Sequence, residues 1–69
     1  MVEVFKTNVR GKRQARALLN ILSDRFPLLR INFDLDDCDK ILRVEGDAIC
    51  QESITELVAE NGYACDVLE

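Results

Sequence analysis

The spacing of the apolar residues changes at Lys12, and this change constrains the fold more than any other feature of the chain. Residues 2–9, VEVFKTNV, mix β-branched, aromatic and polar side chains without a helical period, which predicts a strand. After a turn at 8–11, apolar residues recur every three or four positions, which predicts a helix from Lys12 that ends at Phe26 before the helix-breaking proline. The predicted apolar stripe of this helix consists of Ala15, Ala17, Leu18, Leu19, Ile21 and Leu22.

The rest of the chain predicts a hairpin, a second helix and a last strand. Apolar and polar residues alternate over 31–35 and 41–45, and the polar turn 36–39, reading DDCD, joins these two strands. A second amphipathic helix is expected over about 51–61, and Gly62 is expected to end it in a left-handed conformation. The residues that alternate in the fourth strand are Tyr63, Cys65 and Val67.

The predicted order is strand, helix, strand, strand, helix, strand. With two right-handed crossovers and one hairpin, this order gives a four-stranded antiparallel sheet with both helices on one face. The sequence therefore predicts an α+β, ferredoxin-like βαββαβ sandwich as a single domain over 1–69. The inward face of the first strand stays open, because Val2 and Val4 form one alternate set and Phe5, Thr7 and Val9 form the other.

Composition and charge argue against several classes of function. The 69 residues carry a net charge of −4, which disfavours non-specific binding to nucleic acid or to anionic membranes. The chain shows no signal peptide and no apolar run that could span a membrane, and its three widely spaced cysteines predict reduced thiols, so we expect a cytoplasmic location. The chain contains no histidine and no evident nucleophile–base pair, so we expect neither catalysis nor a cofactor.

Three stretches of the chain are FKTNV at 5–9, DKILRVEGD at 39–47 and ENGYACDVL at 60–68, which together with the second helix cover nearly the whole chain. These stretches resemble the heavy-metal-associated domains of copper chaperones and metal-pumping ATPases. In that family, the turn after the first strand carries two cysteines three positions apart, whose thiolates bind Cu(I) or Zn(II). The resemblance places Gly11 and Gln14 at these two positions, and neither residue supplies a thiolate.

The resemblance therefore implies the scaffold of a metal-binding domain without its ligands. We expect a non-catalytic protein-interaction or regulatory module. One alternative is a copper or zinc carrier with a displaced site at Cys38, supported by Asp36 and Asp39, although this set lacks histidine and the usual ligand spacing.

The turn that leads into the first helix is basic and is the other candidate surface. Cations around a helix start oppose the helix dipole, which suggests either a solvated surface or an anionic partner. Phosphate or carboxylate could bind there to backbone amides and arginine side chains, so an anion-binding module is a third possibility. The acidic hairpin turn could also face this basic turn. The cations are Arg10, Lys12, Arg13 and Arg16.

The two helices are expected to differ in charge, and two cysteines are expected to differ in environment. The second helix carries outward carboxylates at Glu52, Glu56 and Glu60, so a protein partner or a homodimer could form through the charged helix faces. Cys50 lies at the predicted start of the second helix, where a thiol can have a lowered pKa and raised reactivity, and Cys65 is expected to be a small buried residue.

Overall fold

The fold is a four-stranded antiparallel sheet with two helices packed on one face, which confirms the predicted ferredoxin-like βαββαβ arrangement. The structure, a computed structural model, describes residues 1–34 and 40–68. The strand order across the sheet is β2-β3-β1-β4. The elements are β1 (Val2–Thr7), α1 (Lys12–Arg25), β2 (Arg30–Asp34), β3 (Ile41–Glu45), α2 (Gln51–Glu60) and β4 (Cys65–Val67).

One row of apolar side chains crosses all four strands and forms the floor of the core. Phe5 lies opposite Leu42 on one side and opposite Val67 on the other, and Leu42 lies opposite Phe33. Phe5 and Leu42 are both 0% exposed. The set containing Phe5, Thr7 and Val9 therefore faces the helices, and Val2 is 54% exposed.

The apolar stripe of α1 is narrower than predicted. Ala15, Leu18 and Leu22 are buried against the sheet, and Leu19 is half-buried beside them. Ala17 is exposed and Ile21 is 38% exposed. Only one flank of the helix reaches the sheet and α2, so apolar residues at the edges of the stripe stay in contact with water.

Both β1 and β4 are shorter than the sequence predicts, because side-chain hydrogen bonds form at their ends. Thr7 ends β1: its hydroxyl donates to the Lys40 carbonyl oxygen over 2.7 Å and accepts the Val9 backbone N–H over 3.3 Å. The backbone N–H of Ala64 donates to Asn8 Oδ1 over 2.8 Å. Because these side chains replace strand partners, β1 ends before Val9 and β4 begins after Ala64.

Gly62 ends α2 in the left-handed conformation that the sequence predicts. Its φ is 90°, and its N–H donates to the Ala59 carbonyl oxygen over 3.0 Å. The Tyr63 N–H reaches the Val58 carbonyl oxygen over 3.3 Å. This pair of bonds is a Schellman motif, which satisfies carbonyl groups that a helix end leaves without partners.

The sheet face opposite the helices is mostly polar, and its apolar residues in β1 and β3 are Val2, Val4 and Ile41. Ile41 lies on this face between Asp34 of β2 and Lys6 of β1, yet it is 7% exposed and lies outside the core cluster. The alternation predicted that Ile41 shares the solvent side of β3, and its low exposure shows that neighbouring groups cover it. The predicted polar turn at 36–39 lies outside the described residues.

Candidate functional site

The turn between β1 and α1 is fixed to the rest of the fold by two polar side chains. Thr7 bonds to the Lys40 carbonyl oxygen beside β3, and Asn8 bonds to the backbone before β4. The sequence pattern did not reveal these two roles, because a Thr-Asn pair at a strand end is also ordinary turn composition. The turn thus begins from a defined position at one end of the sheet.

Gly11 and Gln14 contact each other where the turn leads into α1. Gly11 is the N-cap of α1, and its carbonyl oxygen accepts the Ala15 N–H over 2.9 Å. Its N–H donates to Gln14 Oε1 over 3.4 Å. This contact is one half of a capping box, and the other half is missing because glycine has no side chain. The two positions therefore carry an amide contact with no group that would bind a soft metal ion.

The four cations predicted as a candidate site are brought together at this helix start. Lys12 and Arg13 are the first two residues of α1, Arg10 precedes the N-cap, and Arg16 lies one turn along the helix. All four side chains are exposed. Within residues 1–34 and 40–68, none of them forms an ion pair. No acidic residue lies in the first turn, so the positive end of the helix dipole and the side-chain charges add together.

A groove runs beside this basic surface, between α1 and β2. Its volume is about 470 Å³. Leu19 and Phe33 contribute apolar atoms to its lining, and Lys12, Arg16 and Asp34 contribute charged side chains. The lining residues are Lys12, Ala15, Arg16 and Leu19 from the helix and Asn32, Phe33 and Asp34 from the strand. The groove places two of the four cations next to an apolar surface and the outer edge of the sheet, a combination that sequence reasoning did not identify.

The second helix presents the opposite charge. Glu52, Glu56 and Glu60 are all exposed, and the last turn of α2 contains no basic residue. The helices therefore differ in charge as predicted. The acidic turn residues that were expected to face the basic turn, Asp36, Asp37 and Asp39, lie outside the described residues.

The two described cysteines differ in environment. Cys50 is exposed at the N-cap of α2, and hydrogen bonding from the Ser53 side chain, followed by its backbone N–H, lowers the pKa of the Cys50 thiol. Burial raises the pKa of Cys65 to about 11, and the nearby Asp66 carboxylate adds to this effect. Cys65 packs against the core and is half-buried. A Cys50 thiolate is thus easier to form than a Cys65 thiolate.

The described part of the chain contains no group of three or more acidic, cysteine or histidine side chains that could hold a metal ion. The displaced site suggested for Cys38, Asp36 and Asp39 lies outside those residues. In the same described ranges, no helix has the length and apolar character that crossing a membrane requires.

Comparison with protein families, with characterised proteins and with solved structures finds no match to this chain. The fold and the chemistry of its own surface therefore carry the functional conclusion.

Proposed function

We propose that this chain is a heavy-metal-associated type of domain that has lost its metal ligands and acts as a non-catalytic protein-interaction module. The observation that carries the proposal is the turn before α1. The two positions that would hold thiolates in that family carry Gly11 and Gln14, which contact each other instead. The same turn is surrounded by exposed cations.

The basic surface, defined by Arg10, Lys12, Arg13 and Arg16, suits an acidic protein partner. Cations at the first turn of a helix oppose its dipole by about 0.3–1 kcal/mol each at low ionic strength. A carboxylate-rich partner surface would reverse that unfavourable term, because its charges meet both the side chains and the positive helix end.

Affinity capture with a photocrosslinking residue at Ala17, which is exposed on α1, tests the proposal. Lysate of the source cells provides the partner, and a captured protein must then bind the purified domain with an affinity that falls as salt rises. The double variant Lys12→Glu/Arg13→Glu is expected to abolish this binding.

The matched control is Arg25→Glu/Arg43→Glu, which lowers the net charge by the same amount at two exposed positions away from the basic surface. This control is expected to retain binding. If both double variants weaken binding equally, net charge alone explains the effect and the proposed surface is not specific. If Lys12→Glu/Arg13→Glu leaves binding intact, the proposed surface is contradicted.

A further inference from the structure

The outer edge of β2 is a second surface, separate from the Arg10 and Arg13 side of the basic turn. β2 is the last strand in the order β2-β3-β1-β4, so its outer edge has no strand beside it among the described residues. It is five residues long, whereas the opposite edge strand, β4, has three. An unpaired edge of this kind can pair with another strand.

The register shows which backbone groups point outwards from this edge. Gly46 N–H donates to the Met1 carbonyl oxygen and Thr7 N–H to the Lys40 carbonyl oxygen, so even-numbered residues of the β3 segment bond to β1. Because bonding direction alternates along an antiparallel strand, the odd-numbered residues of β3 bond to β2. Their partners are Arg30, Asn32 and Asp34. Ile31 and Phe33 therefore direct their N–H and C=O groups to the free edge.

The β2 sequence, RINFD, is complementary to itself when it is read in the opposite direction. A two-fold axis through Asn32 places Arg30 opposite Asp34 of a second copy, and Asp34 opposite its Arg30. The same axis places Ile31 opposite Phe33 of the second copy. These are the two residues whose backbone groups point outwards, so each Ile31–Phe33 pair can exchange two backbone hydrogen bonds.

Side chains on both faces agree with this register. Arg30 and Asp34 are exposed on the polar face of the sheet, where opposite charges on neighbouring strands attract. Phe33 is half-buried, and on the helix side it shares the groove with Leu19, which is also half-buried. Pairing at the edge would cover this partly exposed apolar surface with the same residues of the second copy.

We propose that two copies of this chain associate through antiparallel pairing of their β2 strands, centred on Asn32, to form one continuous eight-stranded sheet. The Arg30–Asp34 pairs set the register, and the Ile31–Phe33 pairs supply the backbone hydrogen bonds. Arg10 and Arg13 do not line the groove beside the edge, so the dimer leaves this part of the basic surface accessible.

Sedimentation equilibrium of charge variants tests the pairing. Arg30→Glu places a second carboxylate opposite Asp34 at both ends of the paired strands, and Asp34→Lys places a second cation opposite Arg30 at the same two places. Each single variant is expected to weaken dimerisation by about 10–100-fold, because two attractive cross-strand pairs become repulsive. An equimolar mixture of the two variants restores attraction within the pairs between unlike chains and is expected to form heterodimers in preference to either homodimer.

The mixture has a defined charge pattern in this register. In the heterodimer, the introduced glutamate of one chain lies opposite the introduced lysine of the other, and the remaining pair joins the unchanged Asp34 to the unchanged Arg30. Both pairs are therefore attractive, as they are in the wild-type dimer. The heterodimer is expected to have an affinity close to that of the wild type.

The controls use charges away from the edge. Arg25→Glu and Asp24→Lys make the same charge changes on the exposed side of α1 and are expected to dimerise like wild type. The double variant Arg30→Glu/Asp34→Lys carries complementary charges again and is also expected to dimerise. Because Arg30 lies opposite Glu45 within its own chain, circular dichroism should confirm that each single variant is folded.

Three results would overturn the inference: a wild-type protein that stays monomeric at ~1 mM, where even a millimolar dissociation constant would show association; single variants that dimerise like wild type; or a variant mixture that stays monomeric. A dimer that Lys12→Glu/Arg13→Glu disrupts while Arg30→Glu does not would instead indicate pairing through the charged helix faces. The proposed binding of an acidic partner is tested separately, by the Lys12 and Arg13 variants.

Discussion

The Gln14 side chain folds back onto the residue that caps its own helix: its Oε1 accepts the Gly11 backbone N–H over 3.4 Å. Both residues are accessible to water, so water can hydrogen-bond to the Gly11 N–H when the Gln14 side chain is removed. Gln14→Ala is expected to lower the free energy of unfolding by about 0.5 kcal/mol, near the low end for a capping interaction. Urea denaturation measures this, and a loss above ~2 kcal/mol would show that the turn depends on Gln14 in some other way.

The basic start of α1 should oppose the stability of the domain. Arg13→Glu replaces an unfavourable interaction with the helix dipole by a favourable one, so the midpoint of urea denaturation should rise by the equivalent of about 0.6–2 kcal/mol at low salt. Arg13→Gln, which only removes the charge, should give about half of this gain. The gain should shrink in ~1 M salt, where charges are screened. A destabilising effect of Arg13→Glu would contradict the absence of ion pairs at this position within the described residues.

Gly62 should resist substitution for a backbone reason alone. A Cβ at this position would meet no atom within 4 Å, but the φ of 90° is one that side-chain-bearing residues rarely adopt. Gly62→Ala is therefore expected to destabilise the domain by about 1–2 kcal/mol. Gly62→Asn should lose less, because asparagine tolerates left-handed conformations better. Equal stability of the alanine variant and wild type in thermal denaturation would contradict this account.

Removing the Thr7 hydroxyl should also destabilise the fold. Thr7→Val keeps the shape of the side chain but leaves the Lys40 carbonyl and the Val9 N–H without their hydroxyl partner. The Lys40 carbonyl oxygen still accepts the Thr7 backbone N–H over 3.2 Å, so the buried Val9 N–H is the group left unsatisfied, and a loss of about 1–3 kcal/mol in the free energy of unfolding is expected. Thr55→Val, which removes a hydroxyl bond to Glu52 near the surface of α2, is the control and should change stability less. Equal losses in the two variants would contradict the role assigned to Thr7.

The two described thiols should react at different rates. The pKa of Cys50 is lowered, whereas that of Cys65 is raised to about 11. Cys50 therefore holds more thiolate than Cys65 at neutral pH, and the thiolate is the nucleophile. Iodoacetamide alkylation of the reduced Cys38→Ser variant, followed by mass spectrometry, should modify Cys50 before Cys65. Equal rates would show that Cys65 is accessible and not protected by its environment.

The contribution of the Cys65 thiol to stability should change with pH only in the alkaline range. Its folded pKa of about 11 lies above the value of about 8.5 for an unfolded cysteine. The folded state thus keeps a proton that the unfolded state loses, so this contribution is complete below about pH 8.5 and is lost as pH rises through about 11. The difference in unfolding free energy between wild type and Cys65→Ala should shrink over that range. A difference that stays constant would contradict the burial of the thiol.

The fold was predictable because local patterns and topology agree. The change of period at Lys12, the alternation in β2 and β3, and the glycine after α2 each point to the same arrangement. The strand ends were not predictable to the residue, since Thr7 and Asn8 bond through side chains to segments far along the chain. The exposure of Ala17 and Ile21 likewise depends on how far the sheet extends beneath α1.

The candidate surfaces were only partly predictable. Charge identified the basic turn, because four cations within seven residues are visible in the sequence. The free edge of β2 was not identified, because its position at the end of the sheet depends on the strand order. Once the strand order is known, the positions of Arg30 and Asp34 on either side of Asn32 indicate an edge strand that is complementary to itself, which the sequence alone does not show.

The most direct test of the central claim is an anaerobic Cu(I) titration of the reduced protein, followed by NMR in competition with a chelator of known affinity. The wild type is compared with Gly11→Cys/Gln14→Cys, which places two thiolates where the resemblance puts the family's ligands. The account predicts that the chelator keeps Cu(I) from the wild type, while the double variant binds one Cu(I) with amide shifts around 8–16. Tight wild-type binding, or a double variant that binds no Cu(I), would contradict it.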